Sequence, residues 1–192
     1  LYKQNSLMEV CAHPDFNIIK GDARDQSLIK KLLKNTDIVI PLAALVGAPL
    51  CDQDIIAAKT INFEGVKLLW NLLSKDQKLL IPITNSGYGI GERGTICTET
   101  SPMNPISLYG KTKVEAESVA LERENSLSFR LATVFGASPR MRIDLLVNDF
   151  VYRAVNDRAV VIFEGHFKRN YIHIRDVCRV FLHGIENFES IK

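Results

Sequence analysis

The chain has 192 residues, 46% of them hydrophobic, and 24 basic against 22 acidic side chains leave a net charge of +2. That is enough apolar material for one sizeable core, and it argues against disorder. A near-balanced charge with no long single-sign run excludes the electrostatic footprint of a nucleic-acid binder.

Cys11, Cys51, Cys97 and Cys178 form no C-x-x-C pair, and no histidines stand at metal-ligand spacing. Reduced, buried thiols are expected rather than a zinc site or a disulfide framework. The longest apolar stretch, residues 38–50, is interrupted by Pro and Gly and is too short to span a bilayer, and no cleavable signal pattern opens the chain. A cytoplasmic protein with no membrane, metal or nucleic-acid partner is expected.

In chain order, Asn17-Ile-Ile-Lys reads as a short strand running into a loop. A helix over about 26–34 follows, with Leu28, Ile29, Leu32 and Leu33 on one face. The β-branched run from Asp37 into Leu42-Ala43-Ala44 has the pattern of a parallel strand buried on both faces. A long helix over about 54–74 precedes a second buried strand at 78–84. The Gly- and Pro-rich stretch 85–105 is a loop, and 107–124, rich in Lys, Glu and Ala, is a helix. Residues 127–136 read as a strand and 143–155 as a helix. Beyond them lie further compact structure around 160–163 and 171–176 and a helix ending near Asn187. This alternation predicts an α/β fold, a parallel sheet with helices on both faces, whose ligands bind beyond the carboxyl ends of the strands.

Chemistry-bearing residues cluster at those ends. Tyr109 and Lys113 stand at i and i+4 near the start of a helix and share one face. An ammonium beside a phenol favours the phenolate, as a general base acting on a substrate hydroxyl requires. The spacing alone is a weak signal. Thr84-Asn85-Ser86, at the end of a buried strand, offers hydroxyls for the same substrate oxygen, or else is a polar turn. Leu42-Ala43-Ala44 lacks side-chain bulk, which suits either close approach to a flat ligand or close helix packing.

Taken together and in order, these residues resemble the extended short-chain dehydrogenase/reductases, the NAD-dependent epimerase/dehydratase family. The resemblance implies a Rossmann-like doubly wound sheet and NAD as cofactor. It makes Thr84, Tyr109 and Lys113 the catalytic residues, Tyr109 the acid/base and Lys113 the group that also holds the nicotinamide ribose. Gly21-Asp22-Ala23-Arg24-Asp25 is similar to the family's adenine-contacting loop, so Asp22 and Ala23 join Leu42, Ala43, Ala44, Asn62, Ala132 and Thr133 as cofactor-lining positions. Asn148 and Arg169 match the positions that bind the sugar-nucleotide diphosphate, which suits an arginine's bidentate donors, and Asn85 and Ser86 are expected to contact substrate beside Thr84 and Tyr109. His13, His166, His173 and His183 are read as structural. The long helices over about 54–74 and 107–124 resemble those that pair family members into homodimers.

Two departures stand out. No G-x-x-G-x-x-G precedes the first helix, so the first β-α-β unit that grips the pyrophosphate is expected to be missing. The smaller substrate domain is expected to be only begun. The division expected is 1–140, an NAD-binding domain incomplete at its N-terminus, and 141–192, a partial substrate-binding region with segments returning to the first domain. Pro41 replaces a common His and Thr133 a common Asn. The activity implied is a sugar-nucleotide epimerase, with a reductase or dehydratase as alternative, and a non-catalytic remnant that keeps the fold as the reading from a different class.

Overall fold

The computed structural model describes residues 6–91 and 94–192; of the opening stretch Leu1 to Leu7, expected to be a loop, residues 1–5 lie outside the described part. The chain divides by packing into two compact units, one made of residues through Lys20 with Ala132–Val180, the other of Gly21–Leu131 with Phe181–Lys192.

The second of these holds the three-stranded sheet. Helix α1 (Gln26–Leu32) starts where the Asp25 carboxylate accepts from Ser27 N and Leu28 N at 2.9 and 3.1 Å, satisfying two of the N–H groups a helix leaves orphaned. A 3-10 turn leads to strand β1 (Ile38–Val39). Helix α2 (Ala48–Gln53) follows Gly47, whose φ of 96° suits glycine, and carries Pro near its first position. Asp54 caps α3 (Ile55–Lys59) by accepting from Ala57 N at 2.8 Å. A π-helical turn (Thr60–Glu64) passes into α4 (Gly65–Leu72). Strand β2 (Lys78–Thr84) is central and pairs in parallel with both β1 and β3 (Ser126–Leu131). Between β2 and β3 come a 3-10 turn (Asn85–Tyr88) and helix α5 (Leu108–Leu121).

Strand alternation sets the two faces of β2. Leu79, Ile81 and Ile83 pack with Leu33, Val66, Leu69, Leu73, Ala116 and Ala120, so α1, α4 and α5 cover one face. Leu80 packs instead with Leu127 and Phe188, joined by Phe129, Phe181 and Ile185. The end of α7 (Ile174–Glu186) and α8 (Phe188–Ile191) thus cover the other face. Phe129 meets Phe181 edge to face at 4.9 Å. The result is the expected Rossmann-like, doubly wound parallel sheet.

In the other unit, β4 (Thr133–Phe135) pairs in parallel with β5 (Tyr171–His173) beside α6 (Leu146–Asn156). Gly136 has φ 124°, and a Cβ there would stand 2.7 Å from His173 Nε2.

Four expectations need correction. Residues 16–20 form no strand; Ile18 and Ile19, 59% and 57% exposed, have no pairing strand among the described residues. β1 is short and half-buried because it lies at an edge of the three-stranded sheet. The run 127–136 is two strands broken at Ala132, because β4 takes β5 as its partner. Only Cys51 is buried, while Cys11, Cys97 and Cys178 are exposed, all four as free thiols. Among the described residues, no helix is long and apolar enough to cross a membrane.

Candidate active site

Thr84 ends β2 and is 8% exposed. Its Oγ1 accepts from Ser86 N at 3.2 Å, which leaves the hydroxyl proton as a donor. The 3-10 turn beginning at Asn85 then runs against the start of α5. A Cβ on Gly110 would lie 3.1 Å from the Ser86 carbonyl oxygen and 3.0 Å from Pro105 Cβ. Glycine is what lets the helix and the turn after Thr84 sit this close. Ser107 caps the helix by accepting from Gly110 N at 3.1 Å, which fixes where the first turn begins. Tyr109, half-buried, lies in that turn, and Lys113 follows one turn later, with Cβ atoms about 5–6 Å apart by helix geometry. The fold therefore sets the turn that follows Thr84, with Asn85 and Ser86, against the first turn of the helix that carries Tyr109 and Lys113.

Lys113 is 5% exposed. Burial pulls its pKa from 10.5 down to about 8, against which the Glu117 carboxylate pushes upward. Among the described residues, no hydrogen bond or ion pair to its ammonium is found. The largely dehydrated setting of the side chain disfavours its charged form, and ribose hydroxyl oxygens supplied by a ligand would stabilise the ammonium. An ammonium in that position fits the ribose end of NAD.

The other expected cofactor positions differ in kind. Leu42 is 71% exposed and Ala43 is exposed beside it at the end of β1, open to a flat ligand. Asp22 and Ala23 lie in an exposed loop. There the Asp22 carboxylate accepts from Arg24 N, Nε and Nη2 at 2.8, 2.9 and 2.6 Å, and these donors hold its pKa down at about 2. Arg24 Nη1 also donates to Thr60 Oγ1 at 3.0 Å, tying the loop to the π-helical turn.

Asn62, in that π-helical turn, is 1% exposed. Its carbonyl accepts from Leu45 N at 2.8 Å, and its amide donates to Leu45 O at 2.9 Å, with Thr112 Oγ1 at 3.4 Å and Cys51 Sγ at 3.7 Å. Its polar atoms clamp the chain that follows Leu42-Ala43-Ala44.

Ala132, Thr133, Asn148 and Arg169 belong to the other unit. Thr133 N donates to Asn170 O at 3.3 Å, and Ala132 precedes it at the break between β3 and β4. Asn148, 8% exposed, accepts from Gly136 N at 3.1 Å and donates to Arg142 O at 3.0 Å, fastening two loops. Arg169 is exposed. His173 Nδ1 accepts from Arg175 N at 3.2 Å at the start of α7. Residues that sequence reasoning passed over are Glu117, Arg130 and Tyr88, which are joined by hydrogen bonds behind the site. The i+4 spacing of Glu117 from Lys113 was the one available signal.

The model of the NAD dependent epimerase/dehydratase family matches residues 2–192. The chain is 28% identical over 186 residues to the low-salt glycan biosynthesis protein Agl12 of Haloferax volcanii, an alignment covering 91% of this chain and 58% of that protein. It is 25% identical over 185 residues to a dTDP-glucose 4,6-dehydratase of an Actinoplanes species, covering 91% of this chain and 56% of that one. Among solved structures, UDP-glucuronic acid 4-epimerase from Bacillus cereus, in complex with UDP-glucuronic acid and NAD, superposes with a TM-score of 0.81 at 25% identity, over 96% of this chain and 60% of that chain. The chain thus spans somewhat over half the length of these relatives. With the match extending over nearly every residue, the chain belongs to the NAD dependent epimerase/dehydratase family.

Proposed function

We propose that the protein is an NAD-dependent sugar-nucleotide epimerase. The observation that carries this reading is the packing of the Thr84 turn onto the helix bearing Tyr109 and Lys113, with Gly110 against the Ser86 carbonyl. Tyr109 takes the proton from a sugar hydroxyl and later returns it. Thr84 donates a hydrogen bond to the reacting oxygen. Lys113 holds ribose hydroxyls and places a positive charge beside the phenol, favouring its ionised form. Bound NAD supplies the site that accepts a hydride from the sugar carbon and gives it back.

Asn85-Ser86-Gly87 follow Thr84 with no carboxylate, which favours epimerisation over dehydration, where a further acid/base group is needed. A keto-sugar reductase is the second reading, separated by stoichiometric consumption of reduced cofactor. By role, residues 1–140 serve NAD and 141–192 the substrate. We also infer a cytoplasmic homodimer paired through the helices over about 54–74 and 107–124, supported by the exposure of Ile55 (53%) and Ile56 (77%) on the first and Leu121 (49%) on the second.

The test is Tyr109→Phe, assayed with UDP- and dTDP-sugars and NAD. A loss of about 100-fold or more in turnover is expected; retention of activity within a small factor refutes the role of Tyr109.

A further inference from the structure

Glu117 lies one turn beyond Lys113 on α5 and is 4% exposed. Its two carboxylate oxygens accept from Arg130 Nε at 2.9 and 3.0 Å, and one also accepts from the Ser128 hydroxyl. This fastens α5 to β3. Arg130 Nη1 donates to the Tyr88 phenol oxygen at 3.2 Å and to the Glu99 carbonyl at 2.9 Å, with the guanidinium carbon 5.4 Å from the Tyr88 ring centroid. Tyr88 closes the 3-10 turn that starts directly after Thr84. One ion pair, its carboxylate buried and its guanidinium partly buried, therefore bridges the helix carrying Tyr109 and Lys113 and the turn that follows Thr84. Stability alone is a weak reason for it, since apolar side chains of similar volume do as well in such places.

Glu117 is also the charge that acts on Lys113. Arg130, from β3, is neutralised by Glu117 itself. Tyr109 on α5, Tyr88 on the 3-10 turn and Cys51 on α2, whose thiol burial pushes up and so keeps neutral, are the other titratable groups on the elements packed here. The charged residues on the remaining elements packed against α5, Asp52, Lys59, Glu64 and Lys67, are exposed to solvent, and Lys78 of β2 pairs with Glu189 at 3.1 Å.

We propose that Glu117 and Arg130 are positioning residues for the reaction read above: the pair locks α5 to the turn after Thr84, and the Glu117 carboxylate, one helical turn from Lys113, favours its cationic form beside Tyr109. The experiment is an NMR titration of the chain with lysine labelled at ¹³Cε, without cofactor or substrate, the Lys113 signal being assigned through Lys113→Arg. The wild-type midpoint is expected at about 8. In Glu117→Gln it should fall by about one unit.

Glu117→Gln strands Arg130 in a partly buried place and can cost the fold. The double variant Glu117→Leu with Arg130→Met removes both charges, should fold, and should show a smaller fall in the same direction, because the Arg130 cation is lost together with the carboxylate. A folded variant whose Lys113 midpoint stays at the wild-type value overturns the proposal. So does a double variant that fails to fold, which would make the pair a requirement of folding rather than of position. Because the readout involves neither NAD nor sugar, a negative result for Tyr109→Phe and a negative result here remain separate.

Discussion

Replacing Asn62 by Leu keeps nearly the same side-chain volume and deletes the amide that Leu45 N and Leu45 O both use, at 2.8 and 2.9 Å. Each main-chain group left without its partner costs about 1–3 kcal/mol, and the added apolar burial returns about 1 kcal/mol. The net expectation is a loss of about 1–5 kcal/mol, or roughly 2–20 °C in melting temperature for a chain of this size. Trp70, the sole tryptophan, sits on α4 in the same unit as Asn62, so urea unfolding followed by its fluorescence reports on the relevant core. The unfolding midpoint should fall with an unchanged slope. A loss below about 0.5 kcal/mol would show that water replaces the clamp, and would refute the assignment of Asn62 as the residue that sets the path of the chain after Ala44.

Lys113→Met should stabilise the chain at neutral pH by about 3 kcal/mol, because below about 8 the folded state must hold a buried ammonium. Between about 8 and 10.5 only the unfolded chain binds that proton, so wild-type stability rises through this window and the gap to the variant closes; denaturant melts at spaced pH values check it. Gly110→Ala places a methyl 3.1 Å from Ser86 O and 3.0 Å from Pro105 Cβ, so α5 must shift from the turn after Thr84, and an activity loss larger than the stability loss is expected in paired kinetic and melting measurements. In Arg24→Ala the Asp22 carboxylate, held at about 2 chiefly by the Arg24 side chain, should rise part of the way toward 3.8, since the main-chain N–H of residue 24 still donates to it, as read by a ¹³C titration of its carboxyl carbon.

What could be read from the sequence was local. The run Leu79-Leu80-Ile81-Pro82-Ile83 announces a strand covered on both faces, and β2 is that strand. Ser107 before Leu108 announces a helix start, and α5 begins there. With those two elements placed, the turn after Thr84 and the helix turn bearing Tyr109 are both located, because a strand end and a helix N-terminus are short-range features. The strand expected at 17–20 was misleading for the complementary reason: a β-branched run becomes a strand only if another strand offers its hydrogen bonds.

The parts that stayed hidden all depend on register between segments distant in the chain. Ala132 looks like any residue in an apolar run, and it becomes a break only because Thr133 pairs with Tyr171. Arg130 is one arginine among many until the pairing of Ile83 with Arg130 sets it beside Glu117 and within reach of Tyr88. Asn62 carries a family signature, yet its role as a clamp depends on where Leu45 returns after β1. The groups that would touch substrate or cofactor are therefore the legible ones, since chemistry restricts their residue types and spacing. The groups that hold them in place are restricted only by the folded geometry, which makes positioning residues such as Glu117 and Arg130 the ones a structure adds to a sequence.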